Sequence, residues 1–161
     1  MRTLFLFIAV IAVAAGCHTA KEAASANSVV SIVHGTSFGH CRGYCIKEIH
    51  YSSSAVVYKE MSRDTANFPM KETSEQYAQN QLDELAAQLD WKKWEALDSV
   101  IGCPDCSDRG SEYLIITTGK GTRKVLYDAH STPEGLENIL KTIREKRRIF
   151  ERESQNKGKG E

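Results

Sequence analysis

No apolar run in this 161-residue chain is long enough to cross a bilayer. The longest, Leu4 to Ala15, holds twelve residues, and a helix needs roughly 20 to span about 30 Å of hydrocarbon. Net charge is also missing. Lys and Arg number 21 and so do Asp and Glu, so no field of one sign draws nucleic acid. No glycine-rich phosphate loop, no nucleophile elbow and no close carboxylate pair stands in a recognisable frame, and no catalytic residue is assigned.

What is there begins with Arg2, the apolar run and the small residues of "VAAGC". A basic start, a short apolar core and small residues at its end describe a secretory signal. "VAAGC" resembles the lipobox of bacterial lipoproteins. The resemblance implies that residues 1–16 are removed after Gly16 and that Cys17 becomes the first residue and carries lipid, palmitate included. Each buried methylene contributes roughly 0.8 kcal/mol, so several chains hold a protein on a membrane that it does not span. His18 follows Cys17, where an Asp would mark inner-membrane retention in that class, and the implied location is the cell envelope, at the outer membrane. Removal leaves 145 residues with a formal balance of −1, since Arg2 leaves with the signal. That is one domain by length.

From Cys17 to Ser28 the chain is small, polar and aperiodic, and reads as a tether. A single α+β domain is expected over 29–152. "SVVSIVHG" is a strand. "YCIKEIHY" and "SAVVYKE" form a hairpin turning near Ser52–Ser54. Met61 to Lys71, with Asn67 and Pro69, reads as a loop. Thr73 and Gln76 have the spacing of a capping box and open a helix with Leu82, Leu85 and Leu89 on one face. Trp91, Trp94 and Leu97 shift its phase at Asp90, by a kink or a second short helix, and Gly102 is placed to stop it. "SEYLIITT" and "TRKVLYDA", joined by "GKG", form a second hairpin. Ser131 or Thr132 caps the last helix, Pro133 suits its first turn, and Leu136, Ile139, Leu140, Ile143 and Phe150 form its apolar stripe. Residues 153–161 are expected to be a disordered tail. The order β-ββ-α-ββ-α predicts an antiparallel sheet of about five strands with two helices on one face.

Four cysteines remain: Cys41, Cys45, Cys103 and Cys106. An even number in an exported chain points to disulfides. Along a straight strand Cys41 and Cys45 stand about 13 Å apart at roughly 3.3 Å per residue, beyond the roughly 7 Å that a bridge tolerates, unless Gly43 turns the chain. The other arrangement ties "CRGYC" to "CPDC" and contributes roughly 4 kcal/mol in the chain-entropy model. Four thiolates in C-x3-C and C-x2-C also have the count of a closed zinc site, the one cofactor reading here. Thiol–disulfide exchange is a third reading, but "CPDC" follows a helix and precedes a strand, the reverse of what lowers a thiol pKa at a helix start.

Asp105, Asp108 and Arg109 form a candidate loop site for calcium or a small ligand; a turn held by Asx hydrogen bonds is the plainer reading. His40 beside Cys41 has the residue types of a base and a nucleophile, while His34 and His50 lie in or beside strands, where a hydrogen-bonded histidine is commoner. Trp91 and Trp94 offer either a sugar platform or helix–sheet packing. The basic end "IREKRRIFER" reads as a solvated helix face, with attraction to anionic lipid as the sharper alternative.

"TSFGHCRGYC" and "IGCPDCSDRGSEYLIIT" resemble a family of small exported lipoproteins of unknown function from Bacteroidetes-type bacteria. A related, broader family opens its domain with Cys-Phe-Gly-x-Cys-Pro. Phe38, Gly39 and Cys41 match it, Ser37 replaces the first cysteine and Arg42 the proline, and Cys45 is left to take over as a partner. The resemblance covers roughly Gly35 to Phe150. It implies the fold and an envelope location, and brings no activity. The expectation is a membrane-anchored envelope lipoprotein that is a non-enzymatic binding module for an envelope protein or ligand, not for nucleic acid. The alternative is a metal-binding or thiol-redox module built on the four domain cysteines.

Overall fold

The computed structural model describes residues 28–157. The signal, Cys17 and the tether up to residue 27 lie outside the described residues, as do residues 158–161. In chain order the elements are β1 (Val29–Ser37), β2 (Ile46–Tyr51), β3 (Ala55–Met61), β4 (Lys71–Gln76), α1 (Gln79–Ala86), α2 (Trp91–Ala96), β5 (Val100–Ile101), a 3-10 turn at Cys106–Asp108, β6 (Ser111–Thr118), β7 (Gly121–Asp128) and α3 (Glu137–Lys157). The strands form one mixed sheet in the order β4-β3-β2-β1-β6-β7-β5. All neighbours are antiparallel except β5 and β7. The class is α+β.

Alternation along the strands decides the layers. Ile32, Ile49, Val56, Tyr58, Leu114 and Val125 project to one face, where they are buried under Leu82, Leu85 and Trp94 of the short helices and Leu140, Ile143 and Phe150 of α3. Phe150 stacks on Tyr58 with ring centroids 5.7 Å apart. The opposite face carries the half-buried Val33, Val57 and Ile115 and no helix of the described residues.

Several expectations are corrected. Among the described residues the sheet has seven strands and there are three helices, against about five and two. Thr73 and Gln76 do not cap a helix: both lie in β4, an edge strand with five of six residues exposed. The helix starts at Gln79, where Gln81 Oε1 accepts the Ala78 N–H at 2.9 Å; alanine has no oxygen to return the bond. The phase shift at Asp90 is a break between two helices, with Asp90 Oδ1 accepting the Lys93 N–H at 3.1 Å. Gly102 ends no helix; it follows β5, which adds a parallel strand to an otherwise antiparallel sheet. Ser131 and Thr132 do not cap α3. Ser131 bonds the Asp128 carbonyl, and α3 begins at Glu137, past Pro133. Residues 153–157 are helical, because nothing before Gly158 breaks α3 and Ser154 Oγ bonds Glu60 Oε2 at 2.7 Å.

β1 defines an axis. Its first residue pairs with Thr118, beside the β6–β7 turn, where Gly119 N–H bonds the Ser28 carbonyl. Its last residue pairs with Ser111 and Ile46 at the other end. Eight steps at about 3.3 Å put roughly 26 Å between these poles. The loops β1–β2, β3–β4, β5–β6 and β7–α3 all fall at the second pole, called distal below.

Candidate functional site

One row of residues crosses the sheet near its distal end on the helix-covered face. Register places Tyr127 beside Glu112, Glu112 beside Thr36, Thr36 beside Lys47 and Lys47 beside Glu60. The row is mostly polar where Ile32, Ile49, Leu114 and Val125 on the same face are apolar, and α3 runs over it. Arg144 meets Glu112 on β6, Arg147 meets His34 on β1, Glu151 meets Lys47 on β2 and Ser154 meets Glu60 on β3.

The centre of this seam is a buried ionic cluster. Glu112 Oε2 accepts from Arg144 Nη2 at 2.7 Å, from Arg144 Nε at 3.0 Å and from His34 Nε2 at 3.1 Å. Glu112 Oε1 accepts the His130 N–H at 3.3 Å. Arg144 also donates to Thr132 Oγ1 at 3.1 Å and to the Ser131 carbonyl at 2.5 Å. With its Nε2 proton given to Glu112, His34 keeps Nδ1 as an acceptor, 3.5 Å from Arg147 Nη1. Burial holds the imidazole below its ordinary value, against the hydrogen bond to Glu112 and with the help of the Arg147 charge. Burial alone raises the Glu112 carboxyl; the His34 hydrogen bond and the Arg144 guanidinium more than offset it and leave it at about 2. At neutral pH the carboxylate is therefore anionic and the histidine neutral.

Beside this cluster opens a cavity of about 360 Å³. The sheet contributes Thr36 and Lys47, and α3 contributes Arg147 and Glu151. The β1–β2 loop supplies Phe38, Tyr44 and Cys45. That loop is shaped by the Cys41–Cys45 disulfide, with Cα atoms 5.6 Å apart. Gly43, at φ +89°, makes the turn that closes it. Cys103–Cys106, with Cα atoms 5.4 Å apart, closes the neighbouring β5–β6 loop. Both bridges are local, and the cross-link between the two loops is not formed. Hydrogen bonds join the loops instead: Gly39 N–H to Asp105 Oδ1 at 3.2 Å and His40 Nδ1 to Asp108 Oδ1 at 2.5 Å. Arg63 Nη1 ties in the β3–β4 loop through the carbonyls of Phe38 at 2.9 Å and Gly39 at 3.0 Å.

The three-residue loop site separates. Asp105 and Asp108 hold the β1–β2 loop, Arg109 is exposed, and none of them lines either cavity. The four domain cysteines end in two bridges, not one cluster, and among the described residues no group of three or more His, Cys, Asp or Glu side chains is placed to hold a metal. Trp94 is buried in the core under Arg123, and it lines, together with Trp91, a second cavity of about 560 Å³ at the other pole, beside the β6–β7 turn. His50 bonds Glu48 at 2.6 Å on the open sheet face. Of the basic helix, Arg144, Lys146 and Arg147 turn inward to ion pairs, leaving Arg148 and Arg152 exposed.

The sequence also holds a pattern that is not among the expectations above. Gly35 to Gly39 spells G-x-S-x-G around Ser37, and His40 with Asp108 supplies the other residue types of an acyl-transfer triad. The context is wrong for that chemistry. β1 runs into a loop and then a strand, not into a helix. Ser37 makes no hydrogen bond to His40, and His40 and Asp108 are 85% and 62% exposed, with no dry site to strengthen their pairing. The residues that do converge, Glu112 and Arg147, left a signal as well. Glu112 keeps the period-two phase of Leu114 and Ile116, and Arg147 fills the gap between Ile143 and Phe150 in the α3 stripe.

No family model and no curated protein matches this chain.

Proposed function

We propose that the chain is a lipid-anchored protein of the bacterial envelope whose domain is a non-enzymatic binding module, presenting its distal pole to a ligand or partner. One observation carries this. The described chain enters at the pole beside the β6–β7 turn, and the loops, bridges and smaller cavity sit at the other, roughly 26 Å away. A tether from Cys17 then attaches the domain at the pole opposite that cavity. Several acyl chains at roughly 0.8 kcal/mol per methylene make the anchoring permanent. The "VAAGC" motif and the resemblance to small exported lipoproteins support the anchor.

The test uses the full chain in its native host. Cys17→Ala should move the protein from the membrane to the soluble fraction and abolish incorporation of labelled palmitate. A photo-crosslinking residue at Arg63 should give discrete adducts in intact envelopes, and one at Lys120 should not. Membrane retention of Cys17→Ala overturns the anchor. Equal adduct yields at both poles overturn the distal binding face.

A further inference from the structure

We infer that the distal cavity is a receptor site for a carboxylate carried on an apolar group, with Arg147 and Lys47 as its anion-binding residues. The inference rests on the binding-module reading and names the ligand class for it.

Arg147 supplies the main reason. A guanidinium has five N–H donors. The Arg147 side chain is only 11% exposed, yet its one hydrogen bond among the described residues is the 3.5 Å contact with His34 Nδ1. Its Nε is buried without a hydrogen bond, 3.7 Å from Glu151 Oε1. Arg144, three residues earlier, displays the satisfied arrangement, bonded to Glu112, Ser131 and Thr132. A buried charged donor left unmatched is costly, and the Arg147 side chain borders the cavity.

A second group points the same way. Thr36 is 6% exposed, lies on the helix-covered face and lines the cavity, and its hydroxyl has no partner among the described residues. Charge then selects the ligand. Lys47 and Arg147 share a single carboxylate, Glu151, 3.3 Å from Lys47 Nζ. Apart from His130 the lining is left with one positive charge, which suits a monoanion. The planar fork of arginine matches a carboxylate through two parallel bonds. Phe38 and Tyr44 give the remaining wall apolar surface, and about 360 Å³ leaves room for a side group beyond the carboxylate. A free organic acid and the C-terminal residue of a peptide share this chemistry.

The experiment is calorimetric titration of the full chain in detergent. The probes are phenylacetate, phenylacetamide, the peptide Ala-Ala-Phe with a free and with an amidated C-terminus, and inorganic phosphate. At least one acid should bind about tenfold or more tightly than its own amide, the difference expected for a charge-assisted pair. The better of the two acids tells a free acid from a peptide end. Arg147→Lys keeps the charge and loses the fork, and should weaken that acid about tenfold. Lys47→Gln changes a side chain at the cavity rim, outside the core, and should weaken it several-fold even if Arg147→Lys proves unstable. Acids and amides binding alike, phosphate binding more tightly than either acid, or no acid binding at about 10 mM overturns the carboxylate assignment while the anchored binding module stands. Turnover of a peptide probe overturns the module reading itself.

Discussion

His34 and Glu112, 78 positions apart in the chain, meet with Nε2 and Oε2 separated by 3.1 Å and both side chains fully buried. The contact fixes the tautomer. A neutral imidazole that donates from Nε2 offers Nδ1 to Arg147, so the ring stands as a spacer between one satisfied guanidinium, Arg144, and one unsatisfied guanidinium, Arg147. The middle of α3, packed across the distal halves of β1 and β6, holds all four residues in place, and the distal cavity opens where the cluster runs out of acceptors.

Acid should destabilise the fold in two windows. The folded-state pKa of His34 lies below its ordinary 6.5, so the unfolded chain takes up the proton first. The stability present above that value is lost as pH falls below it, with a slope of at most about 1.4 kcal/mol per pH unit for one proton. Glu112 is depressed from 4.5 to about 2, and its contribution is intact above the first value and lost on falling through the second. Urea unfolding midpoints measured between about pH 8 and 3 should show both declines. His34→Gln should remove the upper one. An undiminished slope below neutrality in that variant would assign it to other groups.

Glu112→Gln should cost about 3–5 kcal/mol, because it strands the Arg144 charge in a low-dielectric site. Arg144→Met should cost about as much by stranding Glu112. The double variant Glu112→Leu with Arg144→Met should recover most of the loss, since a buried pair replaced by apolar volume is often near neutral. The contrast is Lys146→Ala, which removes a more exposed partner of Glu75 and should stay under about 1 kcal/mol. Denaturant titration of these variants, with the single Glu112→Leu added to close the double-mutant cycle, reads the coupling. Additive losses would mean that Glu112 and Arg144 act separately.

The central hairpins and the apolar faces of the helices were legible because their periods are clean. β4 was not. "KETSEQ" has no alternation of apolar residues, and its one half-buried side chain is Thr73. It is a strand because β3 offers it a free edge, and its charged residues are those that keep such an edge from pairing further. β5, two residues long, leaves no period to detect. In the loop trio Asp105, Asp108 and Arg109 charge is dense in the sequence, but two of its members are struts to the β1–β2 loop. The charges that converge were hidden in apolar patterns. A lone acid in phase with Leu114 and a lone arginine in phase with Ile143 read as exceptions until α3 is laid across β6 and β1.

Gly35 sits opposite both Tyr113 and Glu48 in the register. On the open face the Tyr113 ring lies across it, and the tyrosine hydroxyl donates to Glu48 Oε1. A Cβ at position 35 would overlap the ring carbons. Gly35→Ala should therefore destabilise by about 1–3 kcal/mol, the cost of overpacking. It should also lower the tyrosine's pKa from its raised value, where burial and the Glu48 hydrogen bond hold it. Gly35→Ala combined with Tyr113→Ala should restore part of the stability. Alkaline titration of tyrosine absorbance alongside thermal melting measures both, and an unshifted melting temperature in Gly35→Ala would mean that the ring has room to leave.

The two disulfides close loops of five and four residues, for which chain entropy gives only about 2 kcal/mol each, half of what a bridge between the loops would give. Cys45→Ser and Cys103→Ser should each cost about that much, and non-reducing peptide maps should recover 41–45 and 103–106 as the linked pairs. Accessibility separates them further. Cys103 and Cys106 are both exposed, whereas Cys45, the last residue of the β1–β2 loop, is 3% exposed. Thiol exchange needs access to the sulfur attacked, and alkylation needs access to the thiol released. Under mild reduction Cys103 and Cys106 should label together, and Cys45 should lag until the loop opens. Tyr44 and Cys45 wall the cavity, so labelling of Cys45 should coincide with weakened carboxylate binding. Prompt labelling of Cys45 with binding intact would detach the bridge from the site.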